Sequence, residues 1–367
     1  MYEALDVVSR ELVGIIPACT INATANGVAE GQSLIIPVTP SNSAEDLVAS
    51  GSAPTANFQN IDNVEVKINK IRRSKISWTG EEQLGLGGLA SPIMRDQYVQ
   101  MMRTLVNEME KDCGEEIAKS ALLAGNYVGT AGSTPFATNL DTLTEARKKL
   151  ADNGAPLTDL QLGMNTTAGM KMRNLTQLQK VNESGTGDLL RQGVLGNLFG
   201  FNIRESAGLI DMKPAVATDY LCNGISAKDA KVVTVDTGVG AIKAGTLVSF
   251  GSDTNVYVVA EDLPTGGTSL KLTEGLKKAT ADNDAVVLKS NTPTVGFSRG
   301  SVILATRLPA VPMGGDLAKD RTVITDPVSG ISFEVALWGG AYQNTITIAT
   351  AWGVKTIKPE HAVAILG

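Results

Sequence analysis

The sequence predicts an α+β fold, and three observations carry that prediction. Residues 92–124 place apolar side chains at spacings of three and four, which is typical of one very long amphipathic helix. Residues 209–293 instead alternate short β-type runs with turns, a pattern that favours a small barrel or sandwich. The C-terminal stretch contains two β-rich runs around Gly339-Gly340 and closes on the apolar run 362–366. Because a chain end is normally polar and frayed, this one is expected to be buried in a sheet or against a neighbour.

Composition limits the function classes. The 367 residues are enough for two or three domains, 43% of them are hydrophobic and 19% charged, and the formal net charge is −6. An acidic chain without a strongly basic face does not fit a sequence-reading DNA binder. Three widely separated cysteines without a CxxC motif argue against a disulfide framework and for a reducing compartment. No run approaches the ~18 apolar residues that a membrane span needs, and no secretory signal is visible.

The N-terminal part of the chain predicts two extended arms. Residues 3–16 space apolar side chains at helical intervals before Pro17, which predicts a short amphipathic arm. Residues 33–38 and 64–79 both have strand character, and the stretch 39–60 between them has no periodicity. Together they predict a two-stranded hairpin with a long tip. Because an isolated hairpin is only marginally stable in water, such an arm needs a partner surface.

A basic cluster lies on the second strand of this hairpin, where lysines and arginines alternate with Ile68, Ile71 and Ile76. Two interpretations remain open. The cluster is either the solvated face of a strand or a charged strand that faces a partner. Its members are Lys67, Lys70, Arg72, Arg73 and Lys75.

The middle of the chain predicts further helices and strands. The long helix starts after Ser91, a good N-cap, and would be roughly 50 Å long before it ends at Gly125-Asn126. The other expected elements are a helix over 140–151, a strand over 160–164, a helix over 166–175 capped by Asn165, and a strand over 201–206.

The sequence offers no conventional catalytic or metal site. Its only histidine, His361, precedes the final apolar run, where a structural role is favoured. No glycine-rich segment completes a phosphate-binding motif. The adjacent Glu81 and Glu82 are interpreted as solvated charge, because neighbours in sequence do not face one another on a helix or strand. We therefore expect no catalytic residue, no cofactor and no metal, and interpret the tryptophans as core or interface anchors: Trp78, Trp338 and Trp352.

The order of these elements resembles the HK97-like capsid fold of tailed bacteriophages. Two segments are similar to coat proteins of the P22 type, namely IKAGTLVSFG at 242–251 and ATAWGVKTIKPE at 349–360. The resemblance implies an α+β fold with an N-terminal arm, an E-loop, a spine helix, a P-domain and an A-domain, interrupted by an inserted all-β barrel domain. The implied boundaries are 1–31 for the N-terminal arm, 32–82 for the E-loop hairpin, 83–208 for the spine helix, P-domain and first part of the A-domain, 209–293 for the inserted barrel, and 294–367 for the remainder of the A-domain and P-domain.

The resemblance implies the function of a major capsid protein. Its copies would assemble into hexamers and pentamers of an icosahedral shell around double-stranded phage DNA, in the bacterial host cytoplasm during assembly and in the virion afterwards. The implied partners are other copies of the chain, a scaffolding protein, a portal and packaged DNA held by non-specific contact, with no membrane and no enzymatic activity. The residues expected to contact neighbouring subunits are Arg72, Arg73, Lys75, Trp78, Glu81 and Glu82.

Two alternatives remain open. An encapsulin-like cellular nanocompartment shell has the same fold and normally carries cargo. An enzyme with a β accessory domain belongs to a different class, and the scarcity of histidine and of catalytic motifs weighs against it.

Overall fold

A computed structural model of the chain describes residues 14–39, 44, 62–87, 90–180, 193, 195–209, 217–327 and 329–367. The predictions for residues 3–13 and for nearly all of the hairpin tip therefore lie outside the described residues. Short 3₁₀ turns cover Ile16–Ala18, Arg299–Ser301 and Pro359–His361. The α-helices within the described residues are α1 (Gly80–Leu86), α2 (Ala90–Leu123), α3 (Asp141–Asp152), α4 (Thr166–Arg173) and α5 (Thr176–Gln179).

Six long strands form a sheet that we call sheet 1. They are β1 (Thr20–Val28), β4 (Lys70–Thr79), β16 (Val302–Pro309), β17 (Ala318–Thr325), β18 (Ser332–Gly340) and β19 (Gln343–Thr356). The central strand is β19, which pairs with β18 and β16 along one side and with β4 along the other. Beyond these, β17 pairs with β18, and β1 runs parallel to β16.

A second six-stranded sheet, sheet 2, holds the C-terminus. Its strands are β5 (Tyr127–Gly129), β6 (Leu160–Met164), β7 (Asn197–Leu198), β8 (Phe201–Glu205), β15 (Thr294–Ser298) and β20 (Ala362–Leu366), in the order β5–β20–β15–β6–β8–β7. All five residues of β20 are buried, and they alternate between two hydrophobic cores, one on each face of the sheet. A strand covered on both faces is apolar throughout. The prediction that the chain end is buried in a sheet is confirmed.

The long helix α2 packs against both sheets. Its 34 residues correspond to about 51 Å. The predicted apolar stripe is buried from Met101 to Ala121. It shares one core with Trp352 on the inner face of sheet 1 and with Val295 and Phe297 of sheet 2.

Residues 217–289 form a separate β unit, which we call the β ring. Its strands are β9 (Leu221–Cys222), β10 (Val232–Asp236), β11 (Leu247–Phe250), β12 (Tyr257–Val258), β13 (Ser269–Lys271) and β14 (Val286–Lys289), arranged as two sheets, β13–β10–β9 and β12–β11–β14. Single bridges, Leu221 to Ala285 and Val259 to Leu272, join the two sheets at both edges. The six strands thus enclose their own core, which includes the buried rings of Tyr220, Phe250 and Tyr257.

The predicted hairpin is shorter than the sequence suggested. Only β2 (Ser33–Val38) and β3 (Asp62–Lys67) pair with each other. The prediction of a single strand over 64–79 is wrong, because the strand is interrupted at Ile68. There the Ile68 N–H donates to the Gln32 carbonyl, and the Ile68 carbonyl accepts the Gly31 N–H. After the break, β4 leaves the hairpin and pairs with β19 over ten positions.

Two further predictions are corrected in detail. The helix expected over 166–175 begins as predicted, with the Asn165 side chain accepting from the Ala168 N–H at 2.8 Å, but it divides into α4 and α5. The turn expected at Gly339-Gly340 lies two residues later, because Gly340 still pairs with Gln343. Tyr342 occupies this turn at a φ of 53°.

Candidate subunit-contact surfaces

The described residues contain no group of three or more His, Cys, Asp and Glu side chains able to hold a metal ion. No helix among them is long and apolar enough to cross a membrane. His361 lies in the short turn before β20, where partial burial lowers its imidazole pKa. The residues predicted to contact neighbouring subunits lie on the surfaces described next.

Of the four members of the basic cluster that lie on β4, Lys70 and Arg72 are paired inside the chain, and the fifth member, Lys67 of β3, lies 3.8 Å from Glu65. The Lys70 ammonium lies 2.7 Å from Asp112 and 3.6 Å from Glu108, and the Arg72 guanidinium lies 3.1 Å from Glu108. Asp112 also accepts the Trp352 indole N–H at 2.8 Å. We expected Arg72 to meet a carboxylate of a neighbouring subunit. The structure instead supplies that carboxylate from α2 of the same chain.

Arg73 and Lys75 face the other way. Side chains alternate along a strand, so these two lie on the outer face of sheet 1, opposite α2. Both are exposed, and neither forms an ion pair within the part of the chain that the structure describes. They are the members of the cluster that remain open to a partner, and their contact with a neighbouring subunit stays a prediction.

Trp78 is buried by its own chain. Its side chain is 7% exposed, on the α2 side of β4, and Trp78 pairs with Asn344 of β19. Its indole N–H has no hydrogen-bond partner among the described residues. We expected this ring to require burial on a neighbour, but the fold of the subunit already buries it.

Glu81 and Glu82 lie in the first turn of α1 and have different environments. Glu82 forms a capping box with Thr79: its carboxylate accepts the Thr79 N–H at 2.9 Å, and the Glu82 N–H bonds the Thr79 hydroxyl at 3.2 Å. The bond from the Thr79 backbone lowers the pKa of the Glu82 carboxyl. Glu81 is exposed and has no ion-pair partner in the described ranges. Of the two, Glu81 is the free charge.

The hairpin β2–β3 is anchored on the outer face of sheet 1. Val66 and Ile68 are buried there in a small cluster with Ala305 and Ala351. At Gly353 the backbones touch so closely that a Cβ would overlap the Lys67 carbonyl oxygen. The base of the arm therefore has a partner surface within the subunit, which sequence reasoning did not foresee.

Sequence reasoning also missed a buried carboxylate on α2. Glu110 is 1% exposed and accepts three backbone N–H groups, from Gly14 at 2.9 Å, Ile15 at 2.6 Å and Ile16 at 2.9 Å. Nothing in the sequence distinguishes it from the other acidic residues of the helix. The contact secures the first described residues of the chain against α2.

The β ring is docked onto the rest of the subunit. Leu247 and Val258 of its strands belong to the core around α2 and not to the ring's own core. Beside them the Tyr127 hydroxyl donates to Glu274 at 3.1 Å, and burial together with this carboxylate raises the pKa of Tyr127. The ring thus has both a core of its own and an apolar contact with α2.

One end of sheet 1 concentrates exposed apolar side chains. The turn between β18 and β19 presents Tyr342 at 96% exposure, α1 presents Leu84 at 85%, and the residue before β17, Leu317, is 91% exposed. The Gly80 N–H bonds the Tyr342 carbonyl at 3.1 Å, which places α1 beside the turn. Ala318 pairs with Trp338 close to the same end. We call this end the tip surface.

Comparisons with known proteins agree with this architecture. No family model and no curated protein matches the chain. Among solved structures, the capsid of the cyanophage P-SCSP1u matches with a TM-score of 0.54 and 13% identity, over 97% of this chain and 88% of that one. A structure from Mycobacterium phage Che8 matches with a TM-score of 0.51 and 13% identity, over 92% and 85%. A virus-like particle from Pyrococcus furiosus, at a TM-score of 0.44 and 10% identity over 99% and 96%, is too distant to carry an argument.

These likenesses establish the class of fold. The chain has a mixed α+β fold that matches a phage capsid structure over almost its whole length. At 13% identity the match shows the fold alone.

Proposed function

We propose that this chain is a shell-forming coat protein, the major capsid subunit of a tailed bacteriophage. The observation that carries the proposal is the match of 97% of the chain to a phage capsid structure. A match of this extent covers nearly the whole chain and does not rest on one common motif. The role is structural, and the chain contributes contacts between copies instead of a catalytic centre.

The surfaces of the subunit support this proposal. Arg73, Lys75 and Glu81 are charges without ion-pair partners among the described residues, and the tip surface exposes large apolar side chains. Monomeric proteins rarely present such apolar side chains together unless they form an interface. Closed shells repeat each contact many times, so modest contacts are sufficient.

The resemblance of residues 242–251 and 349–360 to coat proteins of the P22 type supports a finer assignment. We propose that the β ring is the inserted barrel domain, bounded by residues 209 and 293. The remaining boundaries follow the HK97-like division into N-terminal arm, E-loop, spine helix α2, P-domain and A-domain. One refinement is that residues 70–79 belong with sheet 1 and not with the E-loop hairpin.

The proposal includes the assembly and its partners. Copies form hexamers and pentamers of an icosahedral shell that encloses double-stranded DNA, with a scaffolding protein and a portal as partners during assembly. The net charge of −6 suits a container that does not bind its genome tightly. The subunit assembles in the host cytoplasm and ends in the virion.

Electron microscopy of the expressed chain tests this proposal. We expect closed or polydisperse shells, or a monomer that assembles when a scaffolding protein is co-expressed. A chain lacking residues 42–59 is the matched control and should fold but assemble poorly. An inert compact monomer under every condition, by analytical ultracentrifugation, would show that the proposal is wrong. Shells that enclose protein cargo instead of DNA would favour the nanocompartment alternative.

A further inference from the structure

The tip surface joins three segments that are distant in sequence. Across sheet 1 the order β4–β19–β18–β17 separates α1 from the start of β17 by three strand spacings, roughly 14 Å. Leu84 lies on the α1 side, Tyr342 in the middle and Leu317 on the β17 side. Met313, in the loop that leads to β17, is also fully exposed. All four apolar side chains are thus at least 85% exposed to solvent in the isolated subunit.

Opposite charges accompany the apolar side chains. Lys319 extends over Gly339, where a Cβ would overlap its side chain, and its ammonium lies 3.5 Å from the Asn344 side-chain oxygen. Glu81 lies on α1, next to the turn. Neither charge has an ion-pair partner among the described residues, whereas Asp316 nearby is paired with Arg321. The tip surface therefore offers a cation, Lys319, and an acidic residue, Glu81, that do not pair with each other within the described residues, and Asp320 beside Lys319 is a second exposed carboxylate without an ion-pair partner there.

A surface with both free charges beside apolar groups is complementary to itself. If two copies meet through a rotation, the Glu81 side of one can face the Lys319 side of the next, and each charge finds a partner. A uniformly acidic or basic protein would satisfy only one of the two charges. Charge complementarity thus favours a second copy of this chain over an unrelated partner.

We propose that the tip surface is a contact between copies of this chain, in which Glu81 of one copy faces Lys319 of the next around Leu84, Leu317 and Tyr342. The inference rests on the proposed function, because it names a contact of the proposed shell. It also gives Glu81 a defined partner. Glu82 instead stabilises the N-terminus of α1 through its capping box with Thr79.

Directed crosslinking tests the contact. One chain carries Glu81→Cys and a tagged second chain carries Lys319→Cys, and the two are co-expressed and oxidised after assembly. The native cysteines, Cys19, Cys113 and Cys222, are buried, so background crosslinking is low. We expect a covalent dimer of one tagged and one untagged chain. Ile225→Cys, on an exposed site of the β ring, replaces Glu81→Cys in the control and should give no dimer with Lys319→Cys.

A charge exchange provides the second readout. Glu81→Lys and Lys319→Glu should each lower particle yield several-fold, and the double variant should restore most of it. Lys228→Glu, an exposed lysine of the β ring, should leave the yield unchanged. Circular dichroism of each subunit confirms that the variants fold, so that a lost yield reports on assembly.

The outcomes separate this inference from the proposed function. If shells form but neither the crosslink nor the charge rescue occurs, the tip contact is wrong and the coat-protein proposal stands. Crosslinking of Glu81→Cys chains only with one another would also overturn the inference, because Glu81 of one copy would then face Glu81 of the next and not Lys319. If the wild-type chain forms no shells even with a scaffolding partner, the proposed function fails and this contact fails with it.

Discussion

The carboxylate of Glu110, buried on the long helix, accepts the backbone N–H of Ile15 at 2.6 Å. The same carboxylate also holds the N–H groups of Gly14 and Ile16. Because Ile15 and Ile16 are fully buried in the main core, this contact determines where the N-terminal segment joins the subunit. The first described residues, 14–16, are therefore held at a defined point on α2.

Replacing Glu110 should destabilise the subunit strongly. In Glu110→Ala three buried N–H groups lose their acceptor, and we expect the free energy of unfolding to fall by about 2–4 kcal/mol. Urea denaturation of the unassembled subunit measures it. Glu115→Gln on the same helix, where the side chain is 49% exposed, is the control and should change stability by less than about 0.5 kcal/mol. Similar effects of the two variants would show that the Glu110 contact does not hold the segment.

Gly353→Ala should displace the hairpin β2–β3 from sheet 1. The added methyl group would overlap the Lys67 carbonyl oxygen, so β3 must move, at a cost of about 1–3 kcal/mol. Hydrogen exchange should show lost protection in β3 while β19 stays protected. Gly300→Ala, where a Cβ meets nothing within 4 Å, is the control. Unchanged protection of β3 would mean that the close approach at Gly353 is not needed.

The two faces of β4 should respond differently to charge reversal. Arg73→Glu with Lys75→Glu should lower shell yield and leave the subunit's melting temperature nearly unchanged, because neither side chain has an ion-pair partner among the described residues. Arg72→Glu should instead lower the melting temperature, since it places a carboxylate beside Glu108. Light scattering follows assembly and calorimetry follows melting. Normal shell yield in the double variant would show that Arg73 and Lys75 are solvated charges that do not contact a neighbouring subunit.

Tyr127→Phe should loosen the contact between the β ring and the rest of the subunit. The variant loses the hydrogen bond to Glu274, worth about 0.5–1.5 kcal/mol. The raised pKa of Tyr127 means that the unfolded chain deprotonates first, so the wild type loses this stabilisation as pH rises above about 10. The variant should therefore show a weaker loss of stability between neutral and alkaline pH. Tyr342→Phe, at an exposed turn, should behave like the wild type.

The fragment of residues 209–293 should fold alone. Its core residues, among them Val233 and Phe250, contact one another within the ring. Excision exposes Leu247 and Val258, so we expect a dispersed NMR spectrum together with self-association at high concentration. Leu247→Ser should reduce that association, whereas Val233→Asp should abolish the dispersed spectrum. A poorly dispersed spectrum of the unaltered fragment would show that the ring depends on α2.

The sequence by itself determined the elements whose signal is local. The stripe of α2, the Asn165 cap and the apolar strand β20 each follow from side-chain spacing, because one face or both faces of a single element must be covered. It also indicated the class of fold, through the order of those elements. The intersubunit role of Arg73, Lys75 and Glu81 stays a prediction.

Only the tertiary structure decided which surfaces remain free. The pairing of β4 with β19 placed Trp78 and Arg72 on the side of the sheet that faces α2, where Trp78 is buried and Arg72 meets Glu108. Arg73, the same residue type one position later, lies on the outer face of the sheet. Glu110 became a buried acceptor, whereas Glu115 on the same helix stayed exposed. The physical reason is that strand pairing and helix packing join residues far apart in the chain. Whether a charge is paired, buried or free depends on those distant partners and not on its neighbours in sequence.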